Sequence, residues 1–254
     1  SSQKRKRQTL AEAETTMPKK RWFRQRAHCN PLSHNDTFVT PLNPDDCVWS
    51  KMLSRGEGGD GSNSIDILDV GCGFGGLTVE LARLFPDLNV LGLEIRKKVV
   101  DYVHLRIQEL RRQHPGQYGN CAVIRTNAMK YFTNFFGKGQ VSKMFFCFPD
   151  PHFKVKNFRR RIITPALLDE YAYVLRVGGR LYTITDVEPL HEWMRDHSAA
   201  HPLFRRVPDE DLVADPAAEA MRTATEESMK VDRGGGQKFV AVFERIEGAP
   251  TNFW

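Results

Sequence analysis

The chain has 254 residues, 41% of them hydrophobic, which is enough for one full α/β core, and no stretch approaches the apolar length that spans a bilayer. Its five cysteines are odd in number and include no Cys-x-x-Cys pair, which excludes a disulfide framework and a zinc site from the expected architecture and points to a reducing compartment. The net charge of +6 is unevenly placed: residues 1–30 hold nine Lys or Arg against Glu12 and Glu14, leaving −1 for the rest, so the body is not a generically basic nucleic-acid binder.

Residues 1–30 read as a basic, partly disordered tail and residues 31–254 as one catalytic domain. Lys4-Arg5-Lys6-Arg7 fits a nuclear-import signal, the charged start is unlike a secretory leader, and Ser1 in place of Met points to a trimmed start. A soluble intracellular protein, nuclear and in part cytoplasmic, is expected. The first strand, Ile65 to Val70, turns through Gly71-Cys72-Gly73-Phe74-Gly75-Gly76 into a helix over Leu77 to Phe85. Strand, glycine turn and helix form a cofactor cradle, because glycine lets backbone approach a ligand and the helix start presents free N–H groups.

Gly71, Gly73 and Gly76 also satisfy G-x-G-x-x-G, so a dinucleotide dehydrogenase has to be weighed. Asp69 argues against it. A carboxylate beside the turn repels a pyrophosphate but attracts the ammonium and sulfonium of S-adenosylmethionine. Glu94 ends the next strand, Asn89 to Leu93, 18 residues beyond Gly76, where a ribose-binding acid belongs in such folds.

Helical spacing of Val99, Val103, Ile107 and Leu110 predicts a helix from 96 to about 113, followed by strands at Ala122 to Thr126 and Met144 to Phe148. The latter runs into Phe148-Pro149-Asp150-Pro151-His152-Phe153, where two prolines stiffen the backbone around one carboxylate. Lys154, Lys156, Arg159, Arg160 and Arg161, interleaved with Asn157 and Phe158, suit an RNA backbone beside an extruded base. A helix over Leu167 to Leu175 closed by Gly178-Gly179, a strand at Leu181 to Thr185 and a helix at Glu188 to Ser198 come next. Residues 207–236 read as acidic and irregular, before a last strand at Phe239 to Ile246. Alternation of this kind predicts a doubly wound, mostly parallel sheet, with Gly71, Glu94, Asn127 and Asp150 converging at the carboxyl ends of its strands.

Several long motifs resemble those of the tRNA guanine-N7 methyltransferases, in particular the eukaryotic catalytic subunit. They include Pro18-Lys19-Lys20-Arg21-Trp22-Phe23-Arg24-Gln25-Arg26-Ala27-His28, the glycine turn, Gly92-Leu93-Glu94-Ile95-Arg96, Asn127-Ala128-Met129-Lys130, the Pro-Asp-Pro-His loop and Thr225-Glu226-Glu227. The resemblance covers nearly the whole chain and implies a Rossmann-like class I methyltransferase with a seven-stranded sheet and helices on both faces. It implies S-adenosylmethionine binding at Gly71, Glu94, Arg96, Asn127, Ala128 and Cys147, with Thr225 and Glu227 closing the pocket. It further implies Asp150 as the active-site residue, S-adenosylhomocysteine as product, no metal, RNA contacts that include Arg24 and Arg26, and a WD-repeat β-propeller partner. Cys147 stands where a Leu is usual and Cys29 where a Ser is usual. Two other classes remain: a non-catalytic RNA-binding subunit, and an amino-group methyltransferase, whose strand-four motif is usually Asn/Asp-Pro-Pro-aromatic.

Overall fold

Ile67 and Leu68, Phe145 and Phe146, and Leu181 and Tyr182 are neighbouring pairs whose side chains point to opposite faces of one sheet, and all six are fully buried. Helices cover both faces, which is why these strands read as unbroken apolar runs. The computed structural model describes residues 17–26, 29–33, 39–54 and 64–248. The Lys4–Arg7 run, Ala27 and His28 lie outside the described residues.

The elements are β1 (Ile67–Val70), α1 (Gly76–Leu84), β2 (Val90–Glu94), α2 (Lys97–Gln113), β3 (Cys121–Arg125), α3 (Ala128–Phe135), β4 (Val141–Cys147), α4 (Pro165–Val174), β5 (Leu175–Thr185), α5 (Glu188–Ala200), β6 (Phe204–Arg206), α6 (Pro216–Thr223), α7 (Glu226–Arg233) and β7 (Phe239–Arg245). The sheet order is β3-β2-β1-β4-β5-β7-β6, with β7 antiparallel between β5 and β6 and the first five strands parallel. The strand order changes sense between β1 and β4, so their carboxyl ends open the crevice where ligands bind in such sheets.

Two expectations are corrected. Gly178-Gly179 do not close a helix: α4 ends at Val174, and β5 runs eleven residues through both glycines, with its register against β4 slipping between Val141 and Lys143. The acidic stretch 207–236 is not irregular, because Asp215 caps α6 through Ala217 N and Thr225 caps α7 through Ser228 N. Ala217, Ala218, Ala220 and Met221 of α6 are buried in the core layer that contains α1. Asp215-Pro216 and Thr225 were the available start signals, masked by the surrounding charge. The seventh strand, which the sequence did not place, is β6, a three-residue edge strand too short to show a pattern. Among the described residues no helix is long and apolar enough to cross a membrane.

Candidate functional site

Gly71 follows β1 with φ +77°, a left-handed conformation that favours glycine, and it lines two adjoining cavities. The first cavity, about 220 Å³, is bordered by Glu94, Arg96, Thr126, Asn127 and Ala128. The second, about 430 Å³, is bordered by Asp69, Phe74, Thr225, Glu227 and Lys230. Cys147, Phe148, Pro149, Asp150 and Arg96 line both, so β4 and its following loop form the partition.

Glu94 is buried, and its carboxylate accepts from Gly73 N at 3.2 Å, Arg96 N at 2.9 Å, Arg96 Nε at 3.1 Å and Arg96 Nη2 at 2.8 Å. The acid therefore ties the glycine turn to the start of α2. A ribose diol reaching Glu94 would exchange with the Arg96 contacts. Asn127 caps α3, accepting from Met129 N at 3.1 Å, while its Nδ2 donates to Pro31 O at 2.6 Å. Thr126 Oγ1 is buried on this cavity's wall with no hydrogen-bond partner among the described residues. An adenosine on that wall would give the orphaned hydroxyl a partner. Removing the Glu94 carboxylate in Glu94→Ala should weaken cofactor binding by about 1.5–3 kcal/mol, the range for bonds involving a charged group. Calorimetry giving an unchanged affinity would remove the ribose assignment.

Asp150 lies between the cavities, its side chain 29% exposed, with Oδ2 3.9 Å from His152 Nε2. Two residues away on either side, Phe148 (φ +49°) and His152 (φ +45°) both hold left-handed backbone that costs a non-glycine residue about 1–2 kcal/mol. The prolines were legible; this strain was not. Such strain concentrates where a loop is fixed for function.

The Cys147 thiol is pushed well up by burial, and to a lesser degree by Asp69, so it acts as wall rather than nucleophile. Thr225 is buried at the α7 cap, and Glu227 is exposed beside Lys230 at 3.1 Å. Between them is the residue that sequence reasoning passed over. Glu226 accepts from Gly76 N at 3.3 Å and from Lys20 Nζ at 2.9 Å and Arg106 Nη1 at 3.0 Å. Gly76 allows this approach, because a Cβ there would stand 2.3 Å from Ala224 O. Only its place in Thr225-Glu226-Glu227 signalled it.

Residues 17–26 and 29–33 lie against the body beside these cavities. Phe23 meets Tyr102 edge-on at 5.7 Å, Gln25 Oε1 accepts from Lys98 N at 3.1 Å, and Ser33 O accepts from Lys130 Nζ. Cys29 and Pro31 form part of the first cavity's wall. Arg24 and Arg26 are exposed, as are Lys154, Lys156 and Arg159, while Arg160 turns toward the first cavity. Arg161 corrects the expectation of an RNA contact: it is 5% exposed, with Nε donating to Pro151 O at 3.0 Å.

A protein carboxylate already occupies the α1 N-terminus, where a pyrophosphate would sit in a dinucleotide enzyme, so the dehydrogenase alternative falls and the methyltransferase class remains. A family model described as "Putative methyltransferase" matches residues 63–241. The chain is 54% identical over 239 residues to a tRNA (guanine-N(7)-)-methyltransferase of Zea mays, covering 91% of this chain and 93% of the relative. It is 52% identical over 252 residues to the Xenopus laevis protein of the same name, covering 91% and 90%. The solved 16S rRNA methyltransferase KamB shares the fold, with a TM-score of 0.52 at 15% identity over 84% of this chain and 97% of that one. The chain belongs to the family of tRNA (guanine-N(7)-)-methyltransferases.

Proposed function

We propose that this chain transfers a methyl group from S-adenosylmethionine to N7 of a guanosine in the variable loop of tRNA, giving 7-methylguanosine and S-adenosylhomocysteine. The observation that carries the reading is the fixed Asp150 carboxylate between a ribose-type cavity and a second, acid-lined one. The cofactor supplies an electrophilic methyl on a sulfonium. Guanine N7 is a lone pair with no proton to lose, so its attack needs no general base, and the ring gains positive charge as the carbon–sulfur bond breaks. Asp150 and Glu227, which share the second cavity, can accept from the guanine N1–H and amino group while stabilising that charge. Adenine offers no such pair of donors. Phe153, 73% exposed, and His152 are placed to stack a base turned out of the tRNA.

Burial pushes the Asp69 carboxyl up to about 7 from 3.8; Thr78 Oγ1, donating at 2.7 Å, pulls it down, and Glu226 adds to the rise. The folded chain thus holds a proton that the unfolded chain lacks between those values, so stability falls as pH rises through that window. A cofactor ammonium beside Asp69 favours the carboxylate. Cofactor affinity should therefore rise between roughly pH 6 and 8, with proton release on binding, and Asp69→Asn should flatten the profile. A flat wild-type profile in calorimetry would separate Asp69 from the cofactor.

Exposed Lys154, Lys156, Arg159, Arg24 and Arg26 supply phosphate contacts. They are few for a folded tRNA, and the near-neutral body supports a second subunit, a WD-repeat β-propeller, extending the face. Lys4–Arg7 would serve nuclear import. A nucleoside digest of tRNA treated with purified protein, with and without the propeller, tests the reading. Cofactor consumption with 7-methylguanosine upholds it; N-methylated adenosine, methylated protein or no turnover in either condition overturns it.

A further inference from the structure

Arg161 was expected among the RNA contacts, yet it stands inside the loop that carries Asp150. Its guanidinium lies 3.7 Å over the Phe158 ring and 4.6 Å over the Trp193 ring, and these two rings meet edge-on at 5.2 Å. Among the described residues it has no ion pair with a carboxylate. Cation–π contact from two aromatic faces compensates part of the burial. Trp193 is itself fixed, with Nε1 donating to Ile163 O at 2.8 Å and its ring stacked on His197 at 3.9 Å. Trp193 belongs to α5, a thirteen-residue helix anchored in the core by Leu190 and Met194. The guanidinium donates forward, from Nε to Pro151 O. That carbonyl joins the residue after Asp150 to left-handed His152.

Resting on the function proposed above, we infer that Arg161 is a positioning residue for Asp150: a strut from α5, through Trp193 and Phe158, to the carbonyl that fixes the direction of the carboxylate. A lysine in its place keeps the charge but has neither the planar face nor the Nε donor. The strut acts on turnover. A phosphate contact would act on RNA affinity.

Arg161→Lys should lower kcat by about 10- to 100-fold, the scale of an ångström-sized misplacement, with cofactor and tRNA affinities and the salt dependence of tRNA binding unchanged. In an Asp150→Asn background the same substitution should lower the rate little further, because the strut acts only through that carboxylate. Trp193→Phe, a milder change should Arg161→Lys fail to fold, should give a smaller kcat loss with the same unchanged affinities. Wild-type kcat in Arg161→Lys, or in Trp193→Phe where that variant is the one used, would overturn the inference. So would weaker tRNA binding with a shallower salt slope, the mark of a lost phosphate contact. Failure of the underlying reading is separate, since wild-type enzyme in the same assay would then form no 7-methylguanosine.

Discussion

Asp150→Ala should cut the single-turnover methylation rate by about two orders of magnitude or more while leaving cofactor affinity nearly unchanged, as for removal of one preorganised electrostatic group. The carboxylate stands at the junction of the two cavities, and the chain around it is held by Pro149, Pro151 and two left-handed residues. The ring's positive charge develops during transfer and is absent from the bound substrate, so the loss should appear in rate rather than in binding. Folding should survive, because the side chain is partly exposed. A near-normal single-turnover rate would reduce Asp150 to a piece of loop scaffolding.

Deleting residues 1–10 should leave activity intact, whereas deleting 1–33 should abolish it by a different route, through loss of cofactor binding. The longer deletion removes Cys29 and Pro31 from the wall of the ribose-type cavity and leaves Asn127 Nδ2 without Pro31 O. It also removes Lys20 from Glu226 and Phe23 from Tyr102. The Lys20 ion pair is partly exposed and adds little alone. The covering of the cavity is what matters. Calorimetry and a methylation assay with and without the proposed propeller subunit decide the point, and two equally active truncations would make the segment a dispensable electrostatic arm.

What the sequence disclosed about the site was local. Asp69, the glycine turn, Glu94 and the Pro-Asp-Pro loop each lie within one strand and its following turn, where backbone rules act over a few residues. Glu226 meets Gly76 across 150 positions, and Pro31 meets Asn127 across 96, distances over which no spacing rule operates. Arg161 was misplaced for another reason. In composition an arginine sandwiched by aromatics looks the same as one facing phosphate, and Phe158, read as interleaved with the cations, was already the sign of burial. The parallel strands were visible as apolar runs, whereas α6 and α7, eight residues each, lay hidden in acidic surroundings until their caps were seen in place.

Phe148 and His152 carry a further consequence, for heat tolerance. Their left-handed angles belong to the folded chain, so the energy they require is drawn from the folding equilibrium. Glycine at either position would relax that demand in the folded chain but enlarge the freedom of the unfolded one and of the loop itself. The two left-handed residues thus take a share of the stability that the core supplies, in exchange for a loop of defined direction around Asp150.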